Sequence, residues 1–163
     1  RSGATRVILS DIDHAKLEFA RTLGFDTVFD PREVRPEAYV REECGGADLV
    51  VEATGSSAAY EEALLATKDF ARVVLLGNPM DGMSLSQSAY WTILRKELRI
   101  SGSWNSVYRC HGESEWTQAL RLLSCGMNAQ RLVSHQVSLD DLPGVLRSMR
   151  DRDGFFVKAV CLP

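Results

Sequence analysis

Short apolar runs alternate with helix-like stretches along this chain, and the alternation constrains its fold more than any other feature of the sequence. Residues 5–10, 48–53 and 71–76 are rich in Val, Ile and Leu, which is typical of strands buried on both faces. Each run is followed by a stretch in which apolar residues recur at helical spacing. This pattern predicts an α/β fold with a doubly wound parallel sheet, joined by right-handed connections.

Caps and terminators divide the chain further. Asp13 suits a helix N-cap and Gly24 a left-handed helix stop, so we expect a helix between them. Pro36 begins a second expected helix, which reaches Cys44 and ends at Gly45 and Gly46. The other expected helices cover residues 58–70, 87–96, 113–125 and 140–150, and the other expected strands cover residues 25–29, 98–103, 132–138 and 155–162.

Composition and charge exclude several classes of function. Nineteen basic residues stand against 22 acidic ones without a basic run, so neither nucleic acid nor an anionic membrane is an expected partner. No stretch has the roughly 18 consecutive apolar residues of a membrane helix, and no signal-peptide core is present, so we expect a cytoplasmic location. The four cysteines are widely scattered, which indicates neither a disulfide framework nor a zinc knuckle.

Asp11 follows the first predicted strand directly, at the edge where open α/β sheets bind ligands. In dinucleotide-binding sheets, an acidic residue at the end of the second strand accepts hydrogen bonds from the adenosine ribose. Its charge disfavours a 2′-phosphate and thus favours NAD over NADP. The alternative is that Asp11 and Asp13 are simply two acidic residues of a turn before a helix. On the residues alone, both interpretations stay open.

The glycine loop that binds the pyrophosphate in such sheets does not occur in this sequence. A G-x-G-x-x-G loop lies about 20 residues before the ribose-binding acid, whereas 10 residues precede Asp11. We therefore expect the sheet to lack its first strand, the central one in the order 3-2-1-4-5-6. About five buried side chains at ~1.5–3 kcal/mol each approach the whole stability of a domain. The chain is thus predicted either to re-pair strands with another copy or to belong to a longer polypeptide.

Three runs of the sequence resemble zinc-dependent medium-chain alcohol and polyol dehydrogenases. They are residues 48–55 (DLVVEATG), 73–79 (VVLLGNP) and 93–103 (ILRKELRISGS). The best-matching branch is that of galactitol-1-phosphate 5-dehydrogenase, with sorbitol and threonine dehydrogenases next. The resemblance covers the C-terminal part of a family member. It implies an incomplete Rossmann-like domain over residues 1–125 and, over residues 126–163, a segment that returns to the catalytic domain.

The resemblance also implies which residues bind NAD. Asp11 matches the ribose-binding acid, Ile12 a residue beside the adenine, and Lys16 a basic residue near the ribose. Three turns at later strand ends match the nicotinamide half of the site. Their residues are Thr54, Gly55, Ser56, Leu76, Gly77, Asn78, Gly102, Ser103 and Trp104. The alternatives are that Gly77 and Gly102 are ordinary turn glycines and that Trp104 is a core residue.

The activity implied by the resemblance is oxidation of a polyol or polyol phosphate. In the family, zinc acts as a Lewis acid on the substrate oxygen while hydride passes to NAD. The matching positions of this sequence include no zinc ligand and no catalytic residue, so we expect it to be inactive alone. Without a glycine loop, we also expect NAD binding to be weak or undetectable.

Two other interpretations remain at this point. One is a non-catalytic oligomerisation remnant, because residues 98–103 match the sixth strands that lie side by side in dimers of related dehydrogenases. The other is a methyltransferase-type Rossmann domain, in which an acidic residue also contacts a ribose.

Overall fold

The computed structural model describes residues 3–106 and 111–162, and its first strand and helix form where the sequence predicts them. The Asp13 side chain accepts a 2.9 Å hydrogen bond from the amide of Ala15 and so caps the first helix. Gly24 follows the helix with a φ of 93°, the left-handed conformation expected of it. These elements are β1 (Ile8–Ser10), α1 (His14–Thr22) and β2 (Thr27–Phe29).

The middle of the chain continues the strand and helix alternation. The predicted helix that begins at Pro36 ends at Cys44, and Gly45 follows it in the left-handed conformation with a φ of 67°. Ser56 and Ser86 cap the next two helices through their hydroxyl oxygens. The elements are α2 (Pro36–Cys44), β3 (Ala47–Glu52), α3 (Ser57–Leu65), β4 (Thr67–Leu75), α4 (Gln87–Arg95) and β5 (Arg99–Gly102).

The last part of the chain contains two helices and a pair of short strands. The first of these helices begins with a reciprocal cap, in which Ser114 and Thr117 exchange side-chain and backbone hydrogen bonds. The elements are α5 (Glu115–Ser124), a 3-10 helix (Ala129–Leu132), β6 (His135–Val137), α6 (Leu142–Asp151) and β7 (Ala159–Cys161). Cys110 lies outside the described residues. Of the described helices, none combines the length and apolarity that a membrane crossing requires.

All strand pairs of the described residues are parallel, which confirms the predicted α/β class. β1 pairs with β2, β3–β4–β5 form a three-stranded sheet, and β6 pairs with β7. The orders β2–β1 and β3–β4–β5 are those that remain of 3-2-1-4-5-6 when its first strand is taken out. Within the described residues, each of these two sheets therefore has a strand order of the Rossmann type.

The predicted helix over residues 58–70 is wrong at its end. Helix α3 ends at Leu65, and β4 begins at Thr67. The amide of Ala47 donates a 2.9 Å hydrogen bond to the carbonyl of Ala66, so pairing with β3 draws this segment out of the helix. The spacing of apolar residues within this segment cannot predict a hydrogen bond to a separate strand, and no glycine or proline marks the end of the helix.

Contacts between Cα atoms divide the chain into two compact units, one of residues 1–30 and 106–163 and one of residues 31–105. The first unit has a small core of Leu17, Ala20 and Val28. The core of the second contains Leu64, Val73 and Ala89, each with no exposed surface. The sequence predicts a different boundary, between residues 125 and 126, where the Rossmann-like domain ends and the segment that returns to the catalytic domain begins. That boundary stays a prediction.

Candidate cofactor site

The carboxyl ends of β3, β4 and β5 meet at one edge of the three-stranded sheet. Glu52 pairs with Leu75, and Leu75 pairs with Gly102, so the strands end in register. Beyond this point, the amide of Ser103 donates a 2.9 Å hydrogen bond to the carbonyl of Leu75. The segments 54–56, 76–78 and 102–104, which contain all the predicted site residues of this unit, therefore follow one edge.

Two of these segments are in direct backbone contact at Gly55 and Gly77. A Cβ atom on Gly55, whose φ is 74°, would lie 2.4 Å from the carbonyl oxygen of Asn78. A Cβ atom on Gly77 would lie 2.1 Å from the nitrogen of Gly55. Because real Cβ atoms do not approach backbone this closely, both positions require glycine. The close approach of the two turns therefore depends on these two residues.

Glu52 contacts both turns, one through its buried carboxylate and the other through its backbone carbonyl. Glu52, 4% exposed, accepts hydrogen bonds at Oε1 from the amide of Thr54 at 2.6 Å, the Thr54 hydroxyl at 2.7 Å and the amide of Gly55 at 2.9 Å. Its backbone carbonyl accepts the amides of Leu76 at 2.8 Å and Gly77 at 3.0 Å. Glu52 was not among the predicted site residues. The signal that could have found it is an acidic residue in an apolar strand just before a Thr-Gly turn.

The hydroxyls of Thr54 and Ser56 are engaged locally. Thr54 Oγ1 accepts a 3.1 Å hydrogen bond from the amide of Ser56. Ser56 Oγ accepts the amide of Ala59 at 3.2 Å and caps α3. Both side chains are nonetheless exposed at the sheet edge, so the turn presents a polar surface.

The other residues of this edge are open to solvent. Leu76 is 51% exposed and Trp104 is 75% exposed. Trp104 is therefore not a core residue of its unit, and the alternative interpretation of Trp104 as a core residue is wrong. A Cβ atom on Gly102 would have no other atom within 4 Å, so the surroundings of this residue do not require glycine.

Asp11, Ile12 and Lys16 lie in the other unit, at the carboxyl end of β1. Asp11 Oδ1 accepts a 2.9 Å hydrogen bond from the amide of Asp13, as the turn interpretation requires. Asp11 Oδ2 lies 3.8 Å from the Lys16 ammonium, and both side chains are partly exposed. Ile12 is 59% exposed beside them. One carboxylate oxygen thus organises the turn, while the other lies near the exposed Lys16 ammonium.

The described residues do not fit the zinc ion of the family. Cys44 and Cys125 are exposed, and Cys161 is half-buried. Within residues 3–106 and 111–162, no cysteine joins a group of three possible metal ligands. His135 instead stacks on Phe156, with ring centroids 4.3 Å apart.

A cavity of about 540 Å³ lies away from the predicted residues, at the amino end of β4. The Lys96 ammonium donates to the carbonyl oxygens of Leu65 and Thr67 beside it. Burial lowers the pKa of Lys96, and the nearby charge of Arg41 lowers it further. The lining residues are Arg41, Gly45, Leu65, Thr67, Lys68, Asp69, Thr92 and Lys96. None of them is a predicted site residue.

Parallel strands whose carboxyl-end turns carry closely packed glycines define a Rossmann-type α/β protein. Comparison with known proteins narrows this class. The family model for zinc-binding dehydrogenases matches residues 1–125. The chain therefore belongs to the zinc-binding dehydrogenase family.

Individual relatives agree with this assignment. The L-threonine 3-dehydrogenase of Escherichia fergusonii is 28% identical over 152 residues, which are 91% of this chain and 42% of the relative. The crystal structure of galactitol-1-phosphate dehydrogenase from Escherichia coli matches with a TM-score of 0.83 at 27% identity, over 99% of this chain and 47% of that one. A zinc-binding dehydrogenase from Sinorhizobium meliloti 1021, solved bound to NADP, has a TM-score of 0.77 at 26% identity, over 99% and 46%. The chain spans less than half the length of each.

Proposed function

We propose that this chain is the NAD-binding part of a zinc-dependent dehydrogenase that oxidises a polyol or polyol phosphate. The observation that carries the proposal is the position of Asp11 at the carboxyl end of a parallel strand, in a chain of the zinc-binding dehydrogenase family. In open α/β sheets this is where an acidic residue accepts hydrogen bonds from the ribose of a dinucleotide.

The preference for NAD over NADP rests on charge. A 2′-phosphate beside the Asp11 carboxylate would place like charges together, which is unfavourable at short range. The Lys16 ammonium, 3.8 Å from Asp11 Oδ2, reduces this repulsion, but both side chains are partly exposed and solvent weakens their interaction. A similar protein from Sinorhizobium meliloti was solved with NADP. We propose that Asp11 is the residue that sets the preference for NAD in this chain.

The nicotinamide half of the cofactor is assigned to the edge formed by the turns after β3, β4 and β5. Support comes from the close backbone packing at Gly55 and Gly77, which leaves no room for a Cβ atom at either residue. Exposed Leu76 and Trp104 offer apolar surface beside it for a planar ring.

The polyol substrate class is supported by the likeness to galactitol-1-phosphate dehydrogenase. The matching L-threonine 3-dehydrogenase acts on a different compound by its name, so we propose a polyol or polyol phosphate as a class rather than one compound. Turnover requires zinc ligands, and no cysteine of the described residues joins a group of three possible metal ligands. We accordingly propose that this chain holds cofactor and does not itself oxidise the alcohol.

The test is a titration of the ¹⁵N-labelled chain with NADH and NADPH at millimolar concentration, followed by amide chemical shifts, which detect weak binding. We expect NADH to shift the amides of residues 11–13 at lower concentration than NADPH does. Asp11→Ala should reduce the preference by about tenfold, the effect of one lost charge interaction of ~1.4 kcal/mol. A preference that is unchanged in Asp11→Ala would contradict the role of this carboxylate.

Asp26→Ala is the matched control for that titration. Asp26 immediately precedes β2, and because β1 and β2 are parallel, it lies at the opposite edge of the pair from Asp11. Asp26→Ala changes the net charge by the same amount as Asp11→Ala does. It should leave the preference for NADH over NADPH unchanged. If neither dinucleotide shifts any amide of the original chain, cofactor binding by this chain is contradicted.

We also propose that copies of the chain associate, either along β5 within residues 98–103 or by strand exchange. Two observations support this. β3 is an edge strand of its sheet, and its side chains Leu49 and Val51 are 46% and 52% exposed. Exposed apolar edge strands pair readily with other chains. Sedimentation velocity over a range of concentrations tests association of the chain. A monodisperse monomer at every concentration, with a cooperative thermal unfolding transition that does not depend on concentration, would contradict the proposal.

A further inference from the structure

Glu52 unites the two turns that we assign to the nicotinamide half of the cofactor. Its side chain accepts from Thr54 and Gly55 on one turn, and its backbone carbonyl accepts from Leu76 and Gly77 on the other. One residue therefore receives the amide hydrogens of four residues in two segments. Its carboxylate is also close to Gly77, since a Cβ atom placed there would lie 2.7 Å from Oε2.

The carboxylate carries a desolvation cost that only these donors offset. Burying an acidic side chain is unfavourable unless it is paired or fully hydrogen-bonded. No Lys, Arg or His side chain in the described ranges forms an ion pair with Glu52. Its partners at Oε1 are the amide and hydroxyl groups of the turn alone. Because the buried carboxylate depends on these hydrogen bonds, its stability is coupled to the conformation of residues 54–55.

The same hydrogen bonds fix what the turns can offer to a ligand. Because the amide hydrogens of Thr54, Gly55, Leu76 and Gly77 point to Glu52, they are not available to a bound molecule. The backbone groups that remain at these positions are carbonyl oxygens, which are acceptors. A ligand that carries N–H groups is therefore the kind of ligand that suits the backbone of these four residues.

We propose that Glu52 is a positioning residue for the nicotinamide half of the dinucleotide. It acts by holding the Thr54–Gly55 turn against Gly77 so that the acceptors of this edge are fixed before the ligand binds. The proposal rests on the proposed NAD-binding function and adds a residue that the resemblance did not assign. Asp11, in the other unit, has no part in it.

The test compares NAD⁺ with AMP, which lacks the nicotinamide half, by amide chemical shifts of the labelled chain. In the original chain, NAD⁺ should shift the amides of Gly55 and Gly77, and AMP should not. Glu52→Ala should weaken NAD⁺ binding by about tenfold and leave the AMP affinity within about twofold, since a charge-assisted hydrogen-bond set is lost. Glu52→Gln, which keeps an acceptor of the same length, should recover part of the loss.

Asp48→Ala is the matched control, because Asp48 is an exposed acidic residue at the other end of β3, paired with Lys68. It should leave both affinities unchanged. Equal weakening of NAD⁺ and AMP in Glu52→Ala would indicate a merely structural role and overturn the proposal. So would NAD⁺ binding in Glu52→Ala equal to that of the original chain.

Hydrogen exchange separates failure of this proposal from failure of the proposed function. The amides of Thr54 and Gly55 should exchange about tenfold faster in Glu52→Ala than in the original chain, with Val73 in the core unaffected. If NAD⁺ and AMP leave the original chain unshifted, the cofactor function is wrong, and the nicotinamide assignment of Glu52 is wrong with it. Unchanged exchange at Gly55 would show that Glu52 does not position the turn, whatever binds there.

Discussion

Gly55 and Gly77 are packed so closely that a Cβ atom on Gly77 would lie 2.1 Å from the Gly55 nitrogen. The two residues follow neighbouring strands, β3 and β4, and are both tied to Glu52. Their contact is independent of any ligand, because it is made of backbone alone. The conformation of the two turns therefore depends on the fold itself. A substitution that disturbs their contact should lower the free energy of unfolding.

Gly77→Ala should consequently destabilise the chain by about 3 kcal/mol, at the upper end of the cost of overpacking, since backbone must move to admit the methyl group. Urea unfolding followed by the fluorescence of Trp91 and Trp104 measures the change. Gly82→Ala is the control, because Gly82 has open space around it. A midpoint in Gly77→Ala equal to that of Gly82→Ala would show that the two turns are not packed as described.

Replacement of Phe70 by glycine is expected to stabilise the protein. Phe70 has a φ of 60° in β4 and is 67% exposed, and its amide donates a 2.7 Å hydrogen bond to the Lys96 carbonyl. A left-handed conformation costs a residue with a Cβ atom about 1–2 kcal/mol, and glycine avoids this cost at ~0.5–1 kcal/mol of chain entropy. Phe70→Gly should therefore raise the free energy of unfolding by about 0.5–1 kcal/mol, measured by urea unfolding.

Phe70→Ala distinguishes the backbone from the ring in that experiment. Alanine removes the exposed ring but keeps the Cβ atom, so its strain should remain and no stabilisation is expected. If alanine stabilises the chain as much as glycine does, exposure of the aromatic ring is the cause and the backbone explanation is wrong.

Local signals account for the parts of the fold that the sequence predicts well. Helix α2 is predicted at both ends because Pro36 and Gly45 each act through their own backbone preferences. The end of α3 is not, because it depends on a hydrogen bond from Ala47 to Ala66 between separate segments. Asp11 follows from its place after a strand, and the turn at Thr54 from its glycine and the family resemblance.

The role of Glu52 could not be predicted in the same way. Its carboxylate binds a turn that is adjacent in sequence, but its carbonyl binds residues 76–77, which reach it through the register of β3 and β4. Sheet register is set by packing over the whole unit rather than by local spacing. An acidic residue inside an apolar run is visible in the sequence, whereas the partners that explain it are not.

Two adjacent glutamates of α3 should affect the pH dependence of stability in opposite directions. Burial, followed by repulsion from Glu37, raises the pKa of Glu62 above its ordinary value of 4.5, although Arg35 opposes the shift. The protonated Glu62 side chain therefore contributes stability that is fully present below pH 4.5. This contribution is lost as the pH rises through the raised pKa and the side chain becomes charged. Glu62→Gln should therefore be more stable than the original chain at pH 7, with the difference disappearing toward about pH 4.

Glu61 supplies the opposite case and serves as the control. Hydrogen bonds from Ser86, first from its amide and then from its hydroxyl, lower the pKa of Glu61 below 4.5. Its contribution is present above pH 4.5 and is lost as pH falls through the lowered pKa. Glu61→Gln should be less stable than the original chain at pH 7 and converge with it in acid. Urea unfolding at about pH 4, 5.5 and 7 tests both, and effects of the same sign at pH 7 would refute the assignment.

Leu64→Ala tests whether the packing below β4 supports the candidate site. Leu64 has no exposed surface and packs against Val73 and Ala89, and Val73 lies in the strand that leads to Gly77. Its truncation should cost about 2–5 kcal/mol, while Leu94→Ala, at a residue 53% exposed in α4, should change stability by about 0.5 kcal/mol or less. Because the site turns are joined to β3 and β4 by Glu52, the amide of Gly55 should lose protection from hydrogen exchange in Leu64→Ala together with Val73. Retained protection at Gly55 with lost protection at Val73 would mean that the turns are held independently of the core.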